Sequence, residues 1–164
     1  GLGDVYKRQV LEEYTRKGFA MNDERLKNPK QFGEDYFDEL LERIRDIRAS
    51  EKRFYQKICE IYKTSIDYSS TDEEAKLFFK TVQNKIHYGV HGHTAAELIM
   101  QRADAAKNNM GLTAFEGAKV RKKDVDIAKN YLKEEEMSEL NRVVTMYLDF
   151  AEDQARRHIP MYMK

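Results

Sequence analysis

The sequence predicts an all-α fold, a bundle of about six amphipathic helices interrupted by one irregular segment. Three observations lead there. Apolar residues recur at three- and four-residue spacing along most of the 164-residue chain. Alternating apolar and polar runs of the kind a half-buried strand needs are weak throughout. Only two prolines and eight glycines punctuate the sequence, so long uninterrupted helices are permitted.

The first stripe is Phe37, Leu40, Leu41, Ile44 and Ile47, with Asp38, Glu39, Glu42, Arg43, Arg45 and Asp46 on the opposite face. It resumes at Phe54, Tyr55, Ile58, Ile61 and Tyr62. Because Arg48-Ala49-Ser50-Glu51 holds no breaker, the two stretches form one long helix or a kinked pair. Tyr68-Ser69-Ser70-Thr71 is a polar break, and Thr71 with Glu74 fits a capping box. Ala75, Phe78, Phe79, Val82 and Ile86 make the next stripe, in a helix that Gly89 and Gly92 are expected to end. Thr94 and Glu97 form a second capping box before Ala95, Ala96, Leu98, Ile99, Ala103 and Ala106, a side small enough for close helix approach. Asn108 to Arg121 is irregular, a buried loop or short hairpin. Val125, Ala128 and Leu132 point to a short helix. The last helix carries Met137, Leu140, Val144, Tyr147, Leu148 and Ala151, with three glutamates in its first turn and Arg156, Arg157 and His158 at its end, both favourable to the dipole.

The ends read as cut. Gly1–Gln9 is poorly matched to the residues after it and reads as a non-native or disordered start. Val10-Leu11-Glu12-Glu13-Tyr14 resembles the middle of a helix, and Ile159-Pro160-Met161-Tyr162-Met163 is too apolar for a comfortable free terminus. Residues 10–164 are therefore expected to be a single helical domain and an interior piece of a longer protein.

Lys+Arg and Asp+Glu are each 29, so the formal charge is zero, which argues against a free-standing nucleic-acid binder. One cysteine, Cys59, excludes an intrachain disulfide framework and a Cys-only zinc site; it reads as a small core residue. No apolar run approaches the ~18 residues of a membrane span, and no signal peptide is visible. A reducing, cytoplasmic setting without a membrane partner is expected.

Three of the four histidines fall together, in His87-Tyr88-Gly89-Val90-His91-Gly92-His93-Thr94. His87 and His91 have the i, i+4 spacing that stacks two imidazoles on one helical face. Counting ~100° per residue sets them opposite the Phe78–Ile86 stripe, beside Lys80 and Asn84, and so outside the core. One reading joins His87, His91, His93 and Glu97 around zinc or another divalent ion, a metal-assisted hydrolase or nuclease with Lys80 or Arg121 near phosphate. The other, which needs no cofactor, is a hydrogen-bonded turn between helices. It is favoured, because Glu97 is already used in the capping box, Gly89 should end the helix before His91 stacks, and Tyr88 stands where a metalloprotease has glutamate. Asn84, His87, His91, His93, Thr94, Glu97 and Arg121 are the candidate binding residues. No Gly-rich phosphate loop is present, and the basic run Lys119–Lys123 lacks interleaved aromatics.

The blocks Asp23–Pro29, Phe37–Lys57, Thr81–Lys85, His91–Glu97, Asn109–Thr113, Val120–Lys122, Ala128–Leu132 and Pro160–Lys164 together resemble the RhuM family of virulence-associated bacterial proteins, over Val10 to Lys164. The resemblance implies a longer protein, with a phage-type DNA-binding module before Val10 and a further helical tail after Lys164. DNA contact would then belong to that module. Some relatives are joined to Fic domains, but the His-Pro-Phe signature of nucleotide transfer is absent here. These implications, the neutral charge and the absence of a closed catalytic set lead to the expectation of a non-enzymatic helical module that contacts a protein partner or forms homo-oligomers.

Overall fold

The computed structural model describes residues 1–68 and 71–163, except for the side chains of Gln31, Phe32 and Asp72. Ser69 and Ser70 of the polar break, and Lys164, lie outside that set. Every regular element among the described residues is helical, as the stripes require. The chain divides into two compact units, residues 1–41 and 42–164.

The first unit holds α1 (Leu2–Lys17), α2 (Asp23–Lys27) and α3 (Pro29–Phe32). Residues 2–9, which read from the sequence as a non-native or disordered start, form the first half of α1. Nothing in Leu-Gly-Asp-Val-Tyr-Lys-Arg-Gln opposes a helix strongly except Gly3, and the Gly1 amino group donates to Asp4 at 3.1 Å. Gly18, with φ 83°, closes the helix by donating to the Tyr14 carbonyl. No residue of α1 is buried. Asn22 caps α2, and Pro29 occupies the first turn of α3, where its missing N–H costs nothing.

α4 (Phe37–Arg48) and α5 (Glu51–Tyr62) are two helices, separated at Ala49-Ser50. Ser50 leaves the helical conformation at ψ 141°, and Ala49 enters the core there. α6 (Asp72–His91), α7 (Ala95–Arg102), α8 (Lys122–Val125) and α9 (Glu134–Arg156) come next, with 3₁₀ turns at Asn108–Gly111 and Ala128–Tyr131. No strand forms among the described residues, so the hairpin alternative for 108–121 falls away.

The core of the second unit is where three of the stripes meet. Phe54, Ile58 and Ile61 of α5, Phe79, Val82 and Ile86 of α6, and Leu140, Val144, Leu148 and Ala151 of α9 are buried together, with Leu98 and Leu132 closing one end. Phe54 and Phe79 meet edge-to-face, centroids 5.3 Å apart. Cys59 is half-buried at the margin rather than in the core. Part of the apolar tail is covered: Met161 and Met163 pack against the core and the Met163 amide donates to Asp67 at 2.9 Å, while Ile159 and Tyr162 are exposed.

The α4 stripe departs from expectation. Ile44 is exposed and Ile47 is 58% exposed, because the second-unit part of α4 meets α9 through its polar side. Glu42 accepts from Ser138 Oγ at 3.1 Å, Asp46 accepts from Asn141 Nδ2 and Lys129 Nζ at 3.1 Å, and Arg48 reaches Asp149 at 2.6 Å. Thr71 also differs from its expected role: its hydroxyl donates to the Glu74 carboxylate at 3.1 Å and makes no side-chain cap to a backbone amide.

Candidate functional site

Helix α6 does not end at Gly89. It runs on to His91, and the reversal occurs at Gly92, where φ is 75° and the amide donates to the Tyr88 carbonyl. A glycine inside a helix costs about 1 kcal/mol but leaves the hydrogen-bond ladder whole, whereas the left-handed turn is a position that favours glycine. Both His87 and His91 are therefore helical and on one face, their rings meeting edge-on with centroids 5.2 Å apart. Thr94 then opens α7 through the capping box read from the sequence: its amide donates to Glu97 Oε2 at 2.7 Å, and its hydroxyl accepts from the Glu97 amide. Asn84 ties the two helices together by accepting from the Ala95 amide at 3.2 Å.

His87 is not outside the core. It is 2% exposed, against a cavity of about 40 Å³ that it lines with Phe54, Ile127, Lys129, Leu140 and Val144. The angular count located the apolar stripe of α6 correctly, but α9 and the segment before Leu132 cover the arc beside that stripe as well. A volume of that size has room for about one water, not for a substrate.

The imidazoles are joined to one another. His87 Nδ1 and His91 Nε2 are 2.9 Å apart, and the His91 Nδ1 atom is buried without a partner. A buried lone pair left unused costs less than a buried N–H left unused, so His91 Nε2–H is the donor and His87 Nδ1 the acceptor. His93 stacks on His91 at 6.0 Å. Its Nδ1–H donates to the His91 carbonyl at 2.8 Å, which leaves its Nε2 to accept from Gln101 at 3.4 Å. Burial, reinforced by His91 and Lys129, pushes the His87 pKa down to about 4. Burial also lowers His91, with Glu136 opposing. Thr94 holds the Glu97 carboxyl below its usual range through backbone and side-chain hydrogen bonds.

His87 Nδ1, His91 Nε2, both His93 nitrogens and the Glu97 carboxylate are thus spent on hydrogen bonds in different directions, and the remaining His91 nitrogen is buried without a partner. Among the described residues, no group of three or more His, Cys, Asp or Glu side chains is placed to hold a metal ion, so the set His87, His91, His93 and Glu97 is not assembled as one. Arg121 stands apart: its amide donates to Asp124 at 2.8 Å, starting α8, and its side chain shares no hydrogen bond with the histidines.

Sequence reasoning missed the strongest polar contact beside this turn. Arg102, at the end of α7, grips Glu136 with both terminal nitrogens at 2.5 and 2.6 Å and also donates to the Tyr131 carbonyl at 2.8 Å. Those guanidinium bonds pull the Glu136 pKa down to about 2. The two residues lie 34 positions apart, so no local pattern announces them. Arg102→Ala leaves a half-buried carboxylate and a carbonyl without their partner, and should cost about 2 kcal/mol in urea unfolding at pH 7. Thr94→Ala removes only the cap and should cost about 1 kcal/mol by the same measurement.

Three stripes closed on one core, with a turn whose histidines bond to each other, define an all-α helical module with a structurally used rather than an open polar site. The chain belongs to the virulence protein RhuM family, whose pattern it matches over residues 5–164. No curated protein and no solved structure matches it. Among the described residues no helix is long and apolar enough to cross a membrane.

Proposed function

We propose that this chain is a helical interaction module of a RhuM-family protein, working by protein–protein contact between copies or with a partner rather than by catalysis. One observation carries the reading: large apolar side chains of the second unit stand in solvent on ordered helices, among them Ile44 and Ile47 of α4 and Met146 and Phe150 of α9, the last two 62% and 64% exposed. Single exposed apolar residues are ordinary, but ridges of them on helices signal contact surfaces. The zero net charge supports the same reading, since a module that held DNA by itself would need an excess of Lys and Arg. In this reading DNA contact by the longer protein belongs to its own separate module, and the helical body brings molecules together. A cytoplasmic setting is consistent with the lone free thiol at Cys59.

Static light scattering of the purified chain over roughly 1–200 µM tests it, a range suited to weak interfaces. An average mass that climbs with concentration supports the module. A mass fixed at one chain throughout counts against self-association and leaves only contact with a different protein.

A further inference from the structure

On the outward face of α9 the sequence repeats every three or four residues a second time. Glu139, Val143, Met146, Phe150 and Asp153 share one side of the helix, and Arg157 at its C-terminal cap continues the line. The intervals are four, three, four, three and four, the spacing of a coiled-coil seam. The inner stripe of Leu140, Val144, Leu148 and Ala151 is buried, and Val143 is half-buried against the core, whereas Met146 and Phe150 on this second ridge are exposed.

We infer that the outer ridge of α9 is a self-recognition surface, on which the α9 of a second copy of this chain lies antiparallel about a two-fold axis. The inference rests on the interaction-module reading and names its surface and partner. Charge selects both partner and direction. Glu134, Glu135 and Glu139 crowd the start of the helix, and Arg156 and Arg157 its end. A parallel pair would put like over like. An antiparallel pair sets Glu139 against Arg157 of the second copy and Arg142 beside Asp153 of the second copy, each contact occurring twice by symmetry. In the same register Met146 meets Phe150 of the second copy, and Phe150 meets Met146, so the exposed apolar pair covers itself. The charged layers sit about 27 Å apart along the helix at 1.5 Å rise per residue and bracket that centre. Asp153 now pairs with Arg157 of its own chain at 3.0 Å, with Arg157 exposed and Asp153 about half so, a surface pair weak enough to exchange partners. Opposed helix dipoles add in the same direction. A single seam of this length is at the small end of specific interfaces, so the dissociation constant should be on the order of 10 µM.

Sedimentation equilibrium of the whole chain and its variants decides the matter. The native chain should form dimers, and Phe150→Lys should weaken them by about 10-fold or more while leaving the circular dichroism and melting temperature unchanged, since Phe150 is not in the core. Glu139→Arg and Arg157→Glu should each weaken the dimer by roughly 3–10-fold, and the double variant should return to within about 2-fold of the native value. Failure of that rescue overturns the antiparallel register. A dimer indifferent to Phe150→Lys overturns the ridge but leaves the interaction module standing through another face. A native chain that stays monomeric to roughly 200 µM overturns the proposal and the self-association form of the module together.

Discussion

Lowering the pH from 6.5 to 4 is expected to remove about 3 kcal/mol of folding stability, and His87→Gln should abolish most of that dependence. His87 is buried and its pKa falls from the ordinary 6.5 to about 4, with burial the largest cause. Between those values the unfolded chain carries a proton on this ring and the folded chain does not. Acid therefore favours unfolding, and the stabilising contribution is whole above pH 6.5 and gone near pH 4. His91 shifts in the same direction, with burial again the largest cause, and the two rings share a hydrogen bond. Glu136 acts in a lower window. Its carboxyl is held near 2 against an ordinary 4.5, so the stability it brings is complete above 4.5 and fades only below that. Urea unfolding at pH 7, 6, 5 and 4 separates them. The native chain should lose stability steadily across the series and His87→Gln should lose little before pH 5. Parallel slopes for the two proteins would show that the buried imidazole does not stay neutral.

The contrast between His87 and Glu97 shows what was legible in the chain. Glu97 and Thr94 meet three residues apart, within one helical turn, and the capping box read from their order is the one that forms. The inner stripes of α5, α6 and α9 were legible for the same reason: a 3.6-residue period states which face needs cover. It does not state how many neighbours supply the cover. The side of α6 opposite its stripe looked open, and α9 with the segment before Leu132 reached round to it, taking His87 inside. The opposite error arose at α4, whose Ile44 and Ile47 advertise a buried face while its carboxylates make the contacts to α9. Arg102 and Glu136 depend on chain reversal between α7 and α9, which no local spacing encodes. The outer ridge of α9 was readable from the same helix that supplied the inner one. It stayed hidden because its end positions are charged, and an apolar period count passes over Glu139, Asp153 and Arg157.

Replacing Gly111 by alanine should destabilise the chain by about 3 kcal/mol, equivalent to roughly 6–12 °C in melting temperature for a protein of this size. Asn109, Met110 and Gly111 have φ of 55°, 58° and 83°, three successive left-handed residues that turn the chain from α7 toward the buried Leu112. Asparagine tolerates that conformation and methionine does so at some cost, with the Met110 carbonyl receiving the Asp104 amide at 3.1 Å in compensation. At Gly111 a second obstacle is added. A Cβ there would stand 2.4 Å from the carbonyl oxygen of Arg102, a backbone atom at the end of α7 rather than a flexible side chain. To make room, the turn or the helix end must shift, and the guanidinium that grips Glu136 and the Tyr131 carbonyl belongs to the same residue. Gly92 isolates the conformational part of the effect. Its φ is 75°, but nothing lies within 4 Å of a Cβ at that site, so Gly92→Ala should cost only about 1 kcal/mol. The informative quantity is the difference between the two variants in chemical denaturation. An excess of about 2 kcal/mol at Gly111 means that the α7 terminus is held rigidly by its fork to α9. Equal losses would mean that the left-handed turn alone sets the cost, and that the end of α7 yields to the added methyl group.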